Sequence, residues 1–323
     1  MFSYRSIVIS GDLGSGKSTV SKELSRRLGV RRVSVGDLYR QMAQSRGMSA
    51  LQLNLHAELD DAVDGYVDQL QQDIAKSDEQ LVVDGRLAWF FFTDAFKVHL
   101  ITDPLVAAGR VLSRPPDEVE AYSSLNEAKE RLAHRSESER IRFLTRYGAD
   151  KNRLRNYDLV CDTSRAPSDE VIDRIIAAYH GSIGAAILLH APPLLLLDPL
   201  RIYPSRDVSD PRDPAVPTAA EQTGEQTGER TGDGLAGLSP LTVGYAGSFF
   251  YVVAGHRRLS AAIRAGFNLV PARLLAEGSE LVADGVTAVQ YFDSKVSPRV
   301  IHDWETALGI RLPALTALTG LSG

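Results

Sequence analysis

The segment Gly11-Asp-Leu-Gly14-Ser15-Gly16-Lys17-Ser18-Thr19 has the residue types and spacing that most directly suggest chemistry. It fits the pattern G-x-x-x-x-G-K-[ST] at every fixed position, between an expected strand and an expected helix. Glycines let backbone N–H groups curl around phosphate oxygens, and the adjoining helix turns its positive dipole end toward the same point. Gly11, Gly14, Ser15, Gly16, Lys17, Ser18 and Thr19 are therefore the candidates for holding a nucleoside triphosphate. Lys17 is placed to reach the β- and γ-phosphates, and the Ser18 hydroxyl to ligate Mg²⁺.

Residues downstream of the loop narrow the chemistry. No Asp-Glu pair ends a strand, as a hydrolytic ATPase would need, and no Asn-Lys-x-Asp box is present to read guanine. Instead Gly36-Asp37-Leu-Tyr-Arg40 and Asp84-Gly85-Arg86 put arginines and carboxylates where strands should end. Ligands of open α/β sheets bind at such ends. Asp84 is also a candidate metal ligand beside Ser18. Moving a phosphoryl group onto another phosphate gathers negative charge, which bidentate guanidiniums neutralise well. Arg131, Arg135, Glu139 and Arg142 come later at spacings of four, four and three, on one helix face. One reading is a solvated helix with internal ion pairs. The other is a lid that closes arginines over the transferring group and excludes water as a competing acceptor.

These residues need elements to position them, and the first half supplies an α/β pattern. Strands are expected at Ser6–Ser10, Arg32–Val35, Leu81–Asp84, Lys97–Ile101 and Asp158–Cys161. Helices are expected at Lys17–Leu28, Asn126–Tyr147 and Ser168–Ala178, and the unit closes near residue 182. The run Trp89-Phe-Phe-Phe92 reads as core before it reads as a base-stacking platform.

Residues 4 to about 180 resemble the cytidylate kinases of the short, archaeal-type branch. The likeness rests on Gly11–Thr19, Val33-Ser-Val-Gly-Asp37-Leu-Tyr-Arg40, Arg46-Gly-Met-Ser49, and Asp64 and Asp68 within Val63–Gln69. It continues through Asp84-Gly-Arg-Leu-Ala88, Arg135–Gly148 and Tyr157–Ser164. The resemblance implies phosphoryl transfer from ATP to CMP, dCMP or a modified cytidylate, with Mg²⁺. It implies a P-loop parallel sheet with flanking helices and a helical lid. By the same likeness Lys17, Arg86, Arg131, Arg135 and Arg142 act on the transferring phosphates. Asp37, Arg40, Asp64, Asp68, Arg86 and Glu139 would bind the acceptor nucleotide, Glu139 at the nucleoside. Trp89–Phe92 departs from the small residue usual there, which leaves the preferred base open. A regulatory nucleotide sensor is the rival reading, and the intact Lys17, Ser18 and arginines speak against it.

The second half has a different texture. Leu194–Ile202 is strand-like, and 205–237 then turns polar, with Glu221-Gln-Thr-Gly, Glu225-Gln-Thr-Gly and Glu229-Arg-Thr-Gly in series. With almost nothing apolar to bury, that insertion is expected to be disordered. Strands are expected beyond it at Leu241–Val243, Phe249–Val253 and Val270–Leu275, with helices at His256–Ala265 and near Val300–Leu308. The box Gly255-His256-Arg257-Arg258 at a strand-to-helix turn resembles that of the ParB/sulfiredoxin-like fold. That resemblance implies a smaller α+β domain over 194–323, with these four residues as an anion site for CTP or another nucleotide. A sensing module or a serine-type small-molecule kinase are its two implied uses.

Composition sets the outer bounds. The 323 residues carry 36 basic and 41 acidic side chains, a net charge of −5, which argues against a nucleic-acid partner held by bulk charge. The lone Cys161 excludes a disulfide framework and a cysteine-rich zinc site. The most apolar stretch, Ile183–Leu197, is broken by His190, Pro192 and Pro193 and is too short to cross a bilayer. No export signal opens the sequence, so a cytoplasmic protein without a membrane partner is the expectation.

Overall fold

The computed structural model describes residues 5–48, 61–113, 122–183, 192–207, 239–283 and 285–313. The chain divides into two compact units, Met1–Ala191 and Pro192–Gly323.

In the N-terminal unit five strands, β1 (Ile7–Gly11), β2 (Arg31–Ser34), β3 (Leu81–Asp84), β4 (Phe96–Ile101) and β5 (Leu159–Asp162), form an all-parallel sheet ordered β2-β3-β1-β4-β5. Their apolar runs do not alternate, because helices cover both faces of a parallel sheet. Every residue of β3 and β5 is buried. The helices are α1 (Lys17–Leu28), α2 (Val35–Ser45), α3 (Asp61–Ala75), the single turn α4 (Ala88–Phe91), α5 (Pro104–Leu112), α6 (Leu125–Tyr147) and α7 (Ser168–Ser182). β1 lies between β3 and β4, so successive crossovers leave it in opposite directions. That switch point opens a crevice beyond the C-terminal end of β1, where ligands of this architecture bind. The segment Gly11–Ser18 starts there.

Local chemistry fixes several boundaries. The second strand stops at Ser34 rather than Val35, because the Ser34 hydroxyl accepts the Asp37 N–H at 3.3 Å and caps α2. Ser124 caps α6 in the same way through Glu127 N–H, and Gly148, with φ of 65°, ends it. Trp89 and Phe92 are buried, whereas Phe90 is exposed and Phe91 half-buried. The aromatic run is thus only half core, as a helical turn presents alternate faces.

The C-terminal unit is a mixed sheet, β6 (Leu194–Leu197), β7 (Ile202–Tyr203), β8 (Leu241–Ala246), β9 (Phe249–Ala254) and β10 (Val270–Glu277), ordered β6-β10-β8-β9-β7. The expected strand over Leu194–Ile202 is interrupted: the Asp198 carboxylate accepts Leu200 N–H at 3.0 Å, and Pro199 opens a 3₁₀ turn. β11 (Leu281–Ala283) and β12 (Val286–Thr287) form a small ribbon. Helices α8 (His256–Arg264), α9 (Ala288–Lys295) and α10 (Pro298–Leu308) complete the unit around Tyr203, Tyr251 and Phe292. The polar insertion does not begin at 205. Ser205 is buried and donates to Val252 O at 2.6 Å, while Arg206 O accepts the Trp304 indole N–H at 2.8 Å. The Thr-Gly repeat lies outside the described residues. Among the described residues no helix is long and apolar enough to cross a membrane.

Gly11 is the fold's tightest point near the crevice. Its φ is +149°, and a Cβ there would meet Leu100 O at 2.3 Å and Leu100 N at 2.8 Å. Gly11→Ala should therefore destabilise the N-terminal unit by about 1–3 kcal/mol, read as an earlier urea transition. Wild-type stability in that variant would mean that the two backbones do not approach so closely.

Candidate functional site

The phosphate loop is built from inside outward. Gly14 and Gly16 have φ of +79° and +87°, and Gly16 caps α1 with no side chain over its N-terminal amides. Those amides, together with the helix dipole, suit an anion. Lys17 folds back so that Nζ donates to Gly11 O at 2.7 Å and Asp12 O at 2.6 Å. Burial and the neighbouring Arg86 lower its pKa to about 8, against the opposing pull of Asp12. Ser15 serves the loop itself: it is buried and donates to Asp12 O at 2.8 Å. Ser18 and Thr19 lie at the start of α1, both exposed. Arg110, which sequence reasoning passed over, braces the loop from α5. It donates to Thr163 O at 2.5 Å and lies 3.4 Å from Gly14 O.

A second cluster faces from α6. Glu139 is 5% exposed, and its carboxylate receives Arg86 from the turn after β3 and Arg135 at 3.3 Å. Lys151, beyond the end of α6, lies 3.6 Å away on the other oxygen. Burial works to raise the Glu139 pKa, but Arg86, Lys151, Arg135 and Lys17 together hold it below the usual carboxylate value. The turn carrying Arg86 is fixed by the Ser10 hydroxyl, which donates to Gly85 O at 2.9 Å.

Of the predicted helix face, Arg135 and Glu139 come together and Arg131 does not. Arg131 pairs instead with Glu127 at 2.8 Å, with its side chain 66% exposed. Eight residues of helix place it about 12 Å along the axis from Glu139, so sharing a face does not mean sharing a site. Arg142 is half-buried, its guanidinium 5.7 Å from the Phe143 ring centroid.

Asp37 and Arg40, expected at the acceptor, belong to a connected network with Asp84. Asp84 takes Ser34 Oγ at 2.9 Å, Ser21 Oγ at 2.7 Å and the Arg32 guanidinium. Arg32 also reaches Asp37 at 3.1 Å, and Asp37 pairs with Arg40. Asp37 sits low for a carboxylate, since Arg40 and Arg32 outweigh its burial. The direct metal contact expected of Asp84 meets an obstacle here, because both its oxygens already serve protein donors. Ser18 is exposed at the mouth of the loop, which leaves it as the remaining candidate of the two for a metal contact. Arg32 was not legible from spacing; a guanidinium inside a strand otherwise headed for the core was the available signal. Asp68 accepts the Tyr147 hydroxyl and lies 3.9 Å from Arg146. Phe90 and Phe91 pack on that same Tyr147 ring at 5.8 and 6.1 Å. The Asp64 side chain lies outside the described residues.

In the C-terminal unit the Gly255 box does join β9 to α8, with Gly255 at φ +102°. Two of its side chains are committed to the fold, against expectation. His256 is buried, 3.1 Å from Ser205 Oγ and edge-on to Trp304. Arg258 donates to Ser239 O at 2.8 Å and Pro240 O at 2.9 Å. Arg257 is half-buried.

A family model described as an AAA domain matches residues 7–151. The cytidylate kinase of Natronomonas pharaonis is 39% identical over 178 residues, covering 54% of this chain and 90% of that protein. The cytidylate kinase of Methanobrevibacter smithii is 34% identical over 170 residues, covering 53% of this chain and 95% of that protein. Among solved structures, a shikimate kinase from Bacteroides thetaiotaomicron aligns with a TM-score of 0.42 at 15% identity, covering 55% of this chain and 98% of that one.

The depressed Lys17 pKa has a direct consequence for anion binding. A phosphate ligand needs the protonated ammonium, and above about pH 8 the folded protein increasingly lacks it. Nucleoside triphosphate affinity should fall about tenfold between pH 7 and pH 9, measured by calorimetry. A flat profile would mean that the Lys17 ammonium stays fully charged throughout.

Proposed function

The chain belongs, through its N-terminal half, to the cytidylate kinase family, and from that premise we propose that it transfers the γ-phosphoryl group of ATP to CMP. The observation that carries this reading is the convergence of two cation sets on one crevice. Lys17 and the α1 amides serve a donor phosphate chain, and Arg86 and Arg135 face it around Glu139. A hydrolase needs only the first set. Transfer between two phosphorylated molecules needs both.

The acceptor phosphate is already an anion, so no general base is required and no covalent enzyme intermediate forms. The protein contributes alignment and preorganised positive charge. Lys17 and the loop amides hold the β- and γ-phosphates. Arg86 and Arg135 meet the phosphoryl group as its charge spreads over three oxygens. Arg142 stands about two helical turns further along α6 than Arg135, on the same side. Arg40, held by Asp37, is available to the acceptor phosphate. The Ser18 hydroxyl would hold Mg²⁺ together with the nucleotide's own phosphates and water, a ligand set this ion favours. That ion would screen the phosphate charge. Asp84 supports this arrangement from behind through Ser21, three residues along α1 from Ser18. For the base, Asp68 with Tyr147 and the exposed Phe90 edge are the residues we assign to the acceptor side.

Lys17→Ala should lower turnover with ATP and CMP by at least about 10³-fold, or about 4 kcal/mol, with the thermal transition intact. An ADP-release assay over CMP, dCMP, UMP and AMP reads both rate and base preference. Near wild-type turnover in that variant would refute the assignment.

For the C-terminal unit we propose a ParB/sulfiredoxin-like nucleotide-binding module. The strand, left-handed glycine and helix at Phe249–Arg264 support it. His256 and Arg258 stabilise the unit in this reading, and Gly255 with Arg257 faces the nucleotide phosphate. Full-length Lys17→Ala protein should still release heat on titration with CTP, and adding Arg257→Ala should remove it. No heat with CTP, CDP or ATP would overturn the module.

A further inference from the structure

Lys151 was not among the residues singled out by motif or spacing, yet it is held at both ends by the site. Its side chain is only 12% exposed, with Nζ 2.9 Å from Ser136 Oγ and 3.6 Å from a Glu139 oxygen. Its backbone carbonyl accepts the Tyr157 hydroxyl at 2.7 Å. Tyr157 is buried and stacks on the His99 ring, with centroids 4.4 Å apart and an interplanar angle of 26°. His99 in turn lies 3.8 Å from the Asp12 carboxylate in the phosphate loop. A strut of two rings therefore runs from the loop to Lys151 and sets where its side chain begins.

The charge balance points the side chain's purpose outward. Arg86, Arg135, Lys151 and Lys17 are four positive charges that act on one another here, set against the carboxylates of Glu139 and Asp12. A buried ammonium is costly unless paired and hydrogen-bonded. Here the ammonium makes a neutral hydrogen bond to Ser136 and shares a carboxylate with two guanidiniums. If neutralising Glu139 were its task, Arg86 and Arg135 would already suffice. A polyanion in the crevice uses the surplus.

We propose that Lys151 is a further residue of the phosphoryl-transfer site, its ammonium contacting the oxygens of the group in flight, with Ser136, Glu139 and the Tyr157–His99 strut positioning it. The inference rests on the kinase reading of the N-terminal unit. In the step itself, an acceptor phosphate oxygen forms a bond to the γ-phosphorus. The bond from that phosphorus to the β–γ bridging oxygen breaks, and its electron pair leaves on ADP. Lys151 keeps its proton throughout and supplies charge alone.

The test compares full-length wild type with Lys151→Met and Lys151→Arg. In Lys151→Met, turnover should fall at least about tenfold with KM for ATP and CMP within about threefold, because the contact strengthens in the transition state. Lys151→Arg, which restores the charge, should recover most of that loss. A purely structural lysine predicts a lower melting temperature and unchanged turnover, and turnover within about twofold of wild type overturns the proposal. An adenosine–cytidine pentaphosphate provides a readout independent of activity. Its affinity should drop at least about tenfold in Lys151→Met while ATP affinity changes less than about threefold; equal affinity for the pentaphosphate overturns the proposal. Should Lys151→Met not fold, acetylation of wild-type Lys151 by acetic anhydride answers the same question by mass spectrometry. The pentaphosphate should protect that amine, and unchanged labelling overturns the proposal. If wild type turns over none of the nucleoside monophosphates but the pentaphosphate contrast holds, the kinase reading fails and Lys151's contact with phosphate stands.

Discussion

Four cationic side chains in one crevice repel each other, and the carboxylates of Glu139 and Asp12 are what let them stay. At an effective dielectric near 20, two unit charges about 4 Å apart interact by about 4 kcal/mol. Arg86 and Arg135 reach the Glu139 carboxylate directly, Lys151 pairs at 3.6 Å, and the Lys17 charge is felt at Glu139 as well. The Glu139 carboxylate stays charged although it is almost wholly buried, which burial alone would oppose. Much of the N-terminal unit can be understood as the means of bringing these groups together. Arg86 arrives at the end of β3, Arg135 and Glu139 on α6, Lys151 after the glycine that ends α6, and Lys17 at the start of α1.

His99 shows how tightly the surroundings are tuned to that charge. Burial, then Lys17 and Lys151, push its pKa down to about 3, so the ring is neutral across the physiological range. A neutral imidazole can stack on Tyr157 without adding to the repulsion. The hydroxyl of the same Tyr157 fixes the Lys151 carbonyl. The ring pair thus carries position and leaves the charge balance alone.

The range of each interaction decides how much of it the sequence reveals. The phosphate loop was legible because its chemistry is local: glycines, lysine and serine act within nine consecutive residues. The strands were legible as apolar runs, with errors of about one or two residues where a side chain such as Ser34 caps a helix early. Helical spacing correctly joined Arg135 to Glu139 but overreached at Arg131, since periodicity reports azimuth and not height along the axis. Lys151, Arg32 and the His99–Tyr157 stack were invisible because their partners are distant in sequence and on other elements. In the C-terminal unit the strand–glycine–helix box was found by its pattern. The commitment of His256 to Ser205 and of Arg258 to the carbonyls of Ser239 and Pro240 depends on tertiary packing that no local pattern records.

Asp84 carries the same lesson to the metal. An aspartate at the end of a strand beside a phosphate loop invites assignment as a cation ligand. Its surroundings argue for a different job. Ser34, Ser21 and Arg32 saturate it, and Arg32 passes the connection to Asp37 and Arg40. A carboxylate that gave up these donors to bind a cation would leave the Arg32 guanidinium partly buried with one carboxylate fewer, which is expensive. Held as it is, Asp84 joins the helix that bears Ser18 to the helix that bears Arg40. In the proposed reaction, the donor side and the acceptor side would therefore share one network of ion pairs and hydrogen bonds. Alignment of two phosphates is the main thing such an enzyme must supply, so a carboxylate committed to rigidity serves the reaction as well as one committed to a metal.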